Sequence, residues 1–130
     1  MWGPGGRGCS VVTVPCDDDA ARPGFVYTVG LGEVGHPEFV VVGLGDGHAQ
    51  RVLRELGEQV QRGASFADGD QVICLSITPS TLRLVEVDAV EIPVRRVLQV
   101  VYADFRGAFP WDASYRYPSW LQQLPEFSAA

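Results

Sequence analysis

A histidine and a glutamate stand two residues apart in the run Gly35-His36-Pro37-Glu38, between two segments rich in β-branched residues. Alternate side chains of an extended chain share a face, so the imidazole and the carboxylate could converge. Such a pair could perform general acid–base chemistry, with His36 as the base and Glu38 as its orienting or charge-pairing partner. The structural alternative, in which His36 hydrogen-bonds the turn backbone, is favoured because hydrogen-bonded histidines outnumber catalytic ones.

A second group of chemically useful side chains lies toward the C-terminus. Asp104 ends a strand-like segment beside a glycine turn, where it is a candidate catalytic carboxylate, although stabilising the turn is the commoner role. Phe109 and Trp111 flank Pro110. They could line a pocket for a flat or apolar ligand, or they could close the hydrophobic core.

Three polar side chains inside predicted strands are candidate ligand contacts. Tyr27 and Thr28 lie on opposite faces of one strand. Tyr27 could offer its hydroxyl group to a ligand or hold that group at the rim of the core. Gln99, in an apolar segment, carries a buried amide that needs partners, which makes it a structural clamp or a ligand contact.

The segment from Gly30 to Gly35 matches the dinucleotide-binding pattern G-x-G-x-x-G letter for letter. That pattern works only when a helix begins within it, because the pyrophosphate rests on free amides at the helix N-terminus. Here His36-Pro37 and a second β-branched segment follow. We therefore expect a tight turn between strands, with no helix and no dinucleotide site.

No metal or nucleophile motif accompanies these residues. Neither His36 nor His48 has a second ligand at helical spacing, and no Ser or Cys lies in a G-x-S-x-G turn. Cys74 belongs to an apolar run and is expected to act as a small hydrophobic residue. The sequence leaves open whether Cys9 and Cys16 are bridged, and it indicates no particular cofactor.

Composition narrows the class of protein. The chain has 130 residues, of which 46% are hydrophobic and 20% charged, as expected for one globular domain. Its net charge is -6 and it contains no lysine, so a nucleic-acid or anionic-membrane partner is disfavoured. Neither a signal-peptide core nor an apolar run of membrane-spanning length occurs, so we expect a cytoplasmic protein.

Hydrophobic periodicity predicts one α+β domain over residues 1–130, with residues 1–8 flexible. An amphipathic helix is expected from Asp46 to about Gly63, where a glycine can end it. A mostly antiparallel or mixed sheet of five to six strands should carry this long helix on one face. The strands are expected at 10–15, 25–31, 39–44, 71–77, 82–87 and 97–104, with a short helix at 118–124.

Three stretches together resemble the bacterial family known as domain of unknown function 4262. They are Y-T-V-G-L at 27–31, G-H-P-E at 35–38, and L-Q-V-V-Y-A-D at 98–104 leading into G-A-F-P-W at 107–111. The resemblance covers residues 24–123. It departs from the family pattern at Tyr102-Ala103, where Trp-Pro is common. It implies a small bacterial protein and no particular activity.

The function that these residues favour is small-molecule binding, in a pocket near the Gly35–Glu38 turn and the Phe109–Trp111 loop. One alternative is a small tailoring or hydrolytic enzyme that uses His36 and Glu38 as an acid–base pair. Another is an interaction module that docks on a partner or forms a homodimer through its aromatic tail: Trp111, Tyr115, Tyr117 and Trp120. The sequence does not decide whether the chain is an enzyme.

Overall fold

The computed structural model describes residues 10–14, 24–44, 46–75, 77, 80–89, 96–104, 106–115 and 127–129. These residues form a sheet, one long α-helix and one short 3-10 helix at Leu31–Val34. The long helix, α1, spans Asp46–Gln61. The strands are β1 (Ser10–Val14), β2 (Phe25–Val29), β3 (Glu38–Val42), β4 (Gln71–Ile73), β5 (Thr81–Ala89), β6 (Val97–Tyr102) and β7 (Phe127–Ala129).

The sheet is mixed. Its strands follow the order β1-β2-β3-β6-β5-β4, and β7 also pairs with β5. Strands β3 and β6 are parallel, with Glu38 opposite Val97, whereas the other described pairs are antiparallel. This architecture confirms the predicted α+β class. Strand β7 was not predicted, and the helix expected at 118–124 lies outside the described residues.

Helix α1 covers one face of the sheet with its apolar side. Its inward residues recur at three- and four-residue spacing and are at most 6% exposed: Ala49, Val52, Leu53, Leu56 and Val60. They share a core with Val26 and Phe39 of the sheet. Gly63, at φ 105°, lies just beyond the end of the helix in the left-handed region. The predicted helix and its glycine terminator are therefore confirmed.

Strand β3 occupies the middle of the sheet, and every one of its residues is buried. Phe39 and Val41 face α1, whereas Val40 and Val42 belong to a second apolar cluster with Phe25 on the opposite face. A strand that buries both faces needs apolar residues at successive positions, which explains the run Phe39–Val42. Glu38 is the polar exception, at the amino end of the strand.

The connection between β2 and β3 differs from the expected plain turn. A 3-10 helix forms at Leu31–Val34, inside the G-x-G-x-x-G segment, with Gly30 at φ 121° before it and Gly35 at φ 76° after it. The expectation that no helix begins there was wrong. The first amides of this short helix need a hydrogen-bond acceptor. Glu38 of β3 supplies it.

Replacing Leu56 with alanine tests the contact between the helix and the sheet. Leu56 is fully buried, so Leu56→Ala should lower the free energy of unfolding by about 2–5 kcal/mol through lost burial and a residual cavity. Urea denaturation measures the change. The control is Arg54→Ala on the exposed side of α1, which should shift stability by less than about 0.5 kcal/mol. Equal losses in both variants would contradict the packing described.

Candidate functional site

The Glu38 carboxylate is the most heavily hydrogen-bonded side chain of the Gly35–Glu38 turn. Its Oε2 accepts from the backbone amides of Gly30 at 3.1 Å and Gly32 at 3.0 Å. Its Oε1 accepts from the amide of Leu31 at 3.3 Å and from the hydroxyl group of Thr28 at 2.8 Å. Glu38 is 5% exposed. Four donors therefore replace water around a buried carboxylate.

The positions of these donors explain why the carboxylate lies there. Gly30 to Gly32 form the N-terminus of the 3-10 helix, where amides have no partner within the helix. Three converging amides and the local dipole favour a negative charge. Thr28 extends the network, because its Oγ1 also accepts from the amide of Phe39 at 2.9 Å. Glu38 thus joins β2, the 3-10 helix and β3.

The same amides bear on whether the glycine segment could bind a dinucleotide. A helix does begin inside the glycine pattern, and its first amides do hold an oxyanion. That oxyanion is the chain's own Glu38. A pyrophosphate would have to displace a buried carboxylate from all three amides, so the argument against a dinucleotide at this segment is an occupied anion nest and not a missing helix.

Both ring nitrogens of His36 contact backbone groups. Nδ1 lies 2.8 Å from the carbonyl oxygen of Pro37, and Nε2 accepts from the amide of Phe66 at 2.9 Å. A carbonyl needs a donor and an amide needs an acceptor, so the two contacts fit the neutral tautomer with hydrogen on Nδ1. The ring is 8% exposed and packs against Phe39 at 5.4 Å. His36 therefore connects the loop at Phe66 to the start of β3 through its two ring nitrogens.

His36 and Glu38 do not contact each other through polar atoms. The partners of His36 are the backbones of Pro37 and Phe66, and the partners of the Glu38 carboxylate are Thr28 and the amides of the 3-10 helix. To act as a base, His36 would have to give up the Phe66 amide. The acid–base role of the pair stays a prediction, and the geometry gives each residue a structural role.

Asp104 organises the loop that follows β6. It is fully buried, and its Oδ1 accepts from the amides of Arg106 at 2.9 Å and Ala108 at 3.0 Å. Its own backbone pairs with Ala108 and Gly107, and Gly107 adopts φ 88°. The carboxylate fixes a tight turn that only the backbone freedom of glycine allows.

Phe109 and Trp111 form what we term the aromatic shelf. Their rings are stacked, with centroids 5.1 Å apart and planes at 9°. Trp111 is 56% exposed. The turn beneath the rings is closed by Asp112, whose Oδ2 accepts from the amide of Phe109 at 2.8 Å, while its own amide donates to the Phe109 carbonyl oxygen at 2.8 Å. The backbone between the two rings is thus fixed, and Trp111 leaves a large flat surface open to solvent.

The structure does not bring the two groups of candidate residues together. Because β3 and β6 are parallel with Glu38 opposite Val97, the Gly35–Glu38 turn lies at the amino ends of this pair. Asp104 and the aromatic shelf follow Tyr102, at the carboxyl ends. The distance along β6 from Val97 to Tyr102 alone is about 16 Å at 3.3 Å per residue. The fold therefore does not place the two groups around one pocket.

The three polar residues within strands are also separated. Thr28 faces the helix side and is committed to Glu38 and Phe39. Tyr27 lies on the other face, stacked with Phe25 at 6.2 Å. Gln99 lies on that same face and in the same row, since Tyr27 is opposite Val40 and Val40 is opposite Gln99. Tyr27 and Gln99 thus share a face that Thr28 does not.

Two residues important to these sites were missed at the sequence level. Phe66 contributes its backbone amide and a ring 6.0 Å from that of His36, and no sequence signal could identify an amide partner thirty residues away. Asp112 follows Pro110-Trp111, and an aspartate capping a proline turn is a recognisable pattern. Asp112 could therefore have been identified from the sequence as the residue that closes this turn.

The remaining chemical candidates are His48 and Cys74. His48 is exposed on α1, with Nδ1 3.2 Å from the Arg51 guanidinium. Cys74 is fully buried in the helix-side core, as expected for a small hydrophobic residue. Within the described ranges, no group of three His, Cys, Asp or Glu side chains could hold a metal ion. No helix in those ranges is long and apolar enough to cross a membrane.

Comparison with known proteins assigns the chain to a family. The family model described as Domain of unknown function (DUF4262) matches residues 6–116. The chain belongs to this family. The match spans the glycine segment, the Glu38 network, β6 and the aromatic shelf, so these features lie within the DUF4262 domain. No curated protein and no solved structure gives a significant match to the chain.

The Glu38 network predicts a large and specific stability effect. Glu38→Gln keeps the shape of the side chain but turns an NH₂ group toward backbone amides, leaving donors without an acceptor. Because hydrogen bonds to a charged group contribute about 1.5–3 kcal/mol each, we expect the free energy of unfolding to fall by about 2–4 kcal/mol. Glu33→Gln, at an exposed position of the same 3-10 helix, is the matched control. A Glu38→Gln protein as stable as that control would exclude the network as a structural element.

The contacts of His36 predict its tautomer. Free neutral imidazole favours hydrogen on Nε2, whereas the Pro37 carbonyl oxygen and the Phe66 amide require hydrogen on Nδ1. Long-range proton–nitrogen NMR at neutral to mildly alkaline pH should therefore show Nδ1 protonated and Nε2 unprotonated. The exposed His48 provides the comparison within the same sample. Hydrogen on Nε2 of His36 would contradict the assigned role.

Proposed function

We propose that this domain binds a small, flat ligand on the aromatic shelf formed by Phe109 and Trp111. The observation that carries the proposal is the exposure of Trp111, 56%, together with the stacking of its ring on Phe109. An exposed indole stacked on a second ring offers a large apolar surface with a polar N–H at its edge. A planar ring could stack on that surface.

The loop supports this use because it is organised before any ligand arrives. Asp104 fixes the turn from Arg106 to Ala108, and Asp112 fixes the turn that carries both rings. Immobilising a side chain on binding costs about 0.5–1.5 kcal/mol. Where folding has already ordered the rings, that cost falls away from the binding step, and a small contact area can give measurable affinity.

The position of the shelf in the fold is a second support. In open α/β sheets of parallel strands, ligands commonly bind outside the carboxyl ends of the strands, and the present mixed sheet contains such a parallel pair. Strands β3 and β6 are the parallel pair, and their carboxyl ends are joined by the Tyr102 hydroxyl, which donates to the carbonyl oxygen of Val42 at 3.1 Å. The shelf belongs to the loop that leaves β6.

The two alternatives have weaker support. The polar atoms of His36 and Glu38 that an enzyme would use are engaged by backbone groups and Thr28. The interaction module would share Trp111 with the proposed site, while Tyr117 and Trp120 lie outside the described residues. Small-molecule binding is therefore the function that we carry forward, centred on the shelf alone and not on the Gly35–Glu38 turn.

The test uses three planar probes of one size and different charge: nicotinamide, its ring-N-methylated cation and nicotinate. Ligand-observed saturation-transfer NMR should detect binding of at least one probe, with a Kd on the order of 1–10 mM for so few atoms. Protein-observed spectra should show the Trp111 indole N–H shifting. Trp111→Ala should lower affinity at least about fivefold, because stacking contributes about 1–3 kcal/mol.

The matched control is Val34→Ala, which removes another exposed apolar side chain, 58% exposed, at the opposite end of β3. Binding should be unchanged in this variant. Should none of the three probes bind the unaltered protein, or should Trp111→Ala bind them as well as Val34→Ala does, the shelf is not a ligand site.

A further inference from the structure

The turn that carries the aromatic shelf also carries a carboxylate with an uncommitted oxygen. Oδ2 of Asp112 accepts from the Phe109 amide. Oδ1 has no protein partner within the described ranges, and the side chain is exposed. The charge is thus anchored by one oxygen, beside the two rings, while the other oxygen faces solvent.

The charge nearest the two rings favours a positive ligand. Residues 106–115 contain one basic side chain, Arg106, and one acidic side chain, Asp112; in sequence the buried Asp104 lies before them and Arg116 directly follows. The whole chain carries a net charge of -6. The stretch from Asp104 to Arg116 is therefore balanced in charge, and the preference rests on Asp112, whose carboxylate lies in the turn that carries the rings. Proximity matters because interactions between exposed charges decay over about 8 Å at physiological salt.

The exposed ring reinforces the same preference. The face of an indole carries the negative part of its quadrupole, so Trp111 attracts a cation placed over it, by about 0.5–1 kcal/mol at an exposed site. Phe109 lies against one face of the indole, and Trp111 is still 56% exposed, so much of the ring is accessible to a ligand. Ring face and carboxylate then act on the same ligand from adjacent positions.

We propose that the aromatic shelf selects flat rings that carry a positive charge, such as N-alkylated nitrogen heterocycles, with Trp111 stacking on the ring and Asp112 supplying the counter-charge. This inference rests on the proposed function of the shelf. It adds to it a ligand class and a second binding residue, Asp112, whose structural bond to Phe109 needs only one of its two oxygens.

The experiment compares the affinities of the three probes at low salt, from the shift of the Trp111 indole N–H. The ring-methylated cation should bind about threefold to tenfold more tightly than neutral nicotinamide, and nicotinate should bind most weakly. Added salt should reduce the advantage of the cation. Asp112→Asn keeps an oxygen acceptor for the Phe109 amide while it removes the charge. In that variant the cation's advantage should fall by about twofold to threefold, with nicotinamide affinity unchanged.

Glu33→Gln is the matched control, because it removes one exposed carboxylate at the opposite end of the β3–β6 pair. It should leave the order and ratio of the affinities unaltered. Equal binding of the three probes or a preference for nicotinate overturns charge selection, and a cation advantage left undiminished by Asp112→Asn overturns the role of Asp112, while in each case the shelf stands as a site. Absence of binding by all three overturns the shelf, and this inference with it.

Discussion

Glu38 places a charge inside the protein, and the local structure is arranged around it. A carboxylate that is 5% exposed must replace its hydration shell with donors. The chain supplies three consecutive backbone amides and one threonine hydroxyl group. The amides are available because the glycine segment coils into a 3-10 helix, and the helix is stabilised because the carboxylate occupies its N-terminus. The helix supplies donors to the carboxylate, and the carboxylate supplies an acceptor to the helix.

This network determines where the neighbouring groups lie. Once Glu38 is fixed at the amino end of β3, Pro37 and His36 have little freedom, and the imidazole reaches across to Phe66. The loop that precedes β4 is then held against the start of the central strand. Glu38 thus links the glycine segment to β3, His36 links β3 to the distant Phe66, and the polar atoms of both residues are used for architecture.

Carboxylates also accept hydrogen bonds from backbone amides at the other end of the parallel pair, with a different result. Asp104 is buried and holds the amides of Arg106 and Ala108. Asp112 is exposed and holds the amide of Phe109. Here the anchored backbone presents side chains outward and not inward. The Glu38 end of the sheet is closed and internally satisfied, whereas the shelf end offers an open ring and a free carboxylate oxygen to solvent.

Much of this arrangement could be read from the sequence, because its causes are local. The spacing of Ala49, Val52, Leu53 and Leu56 requires a helix with one buried side, and Gly63 ends it. The β-branched runs require strands, and a run apolar on both faces requires a central one. The motifs shared with DUF4262 also identified the family. The proximity of Phe109 and Trp111 followed from their separation by one proline.

What tertiary structure decided was the partner of each polar atom and the end of the sheet on which each group lies. Periodicity places His36 and Glu38 on one strand, but it cannot say that His36 bonds an amide thirty residues away. Nor does it say that Glu38 turns back to the glycine segment. The parallel pairing of β3 with β6 joins segments about sixty residues apart, and it alone separates the Gly35–Glu38 turn from the shelf. Local sequence fixes backbone conformation through sterics and burial, whereas the direction of strand pairing depends on which distant surfaces must be buried together.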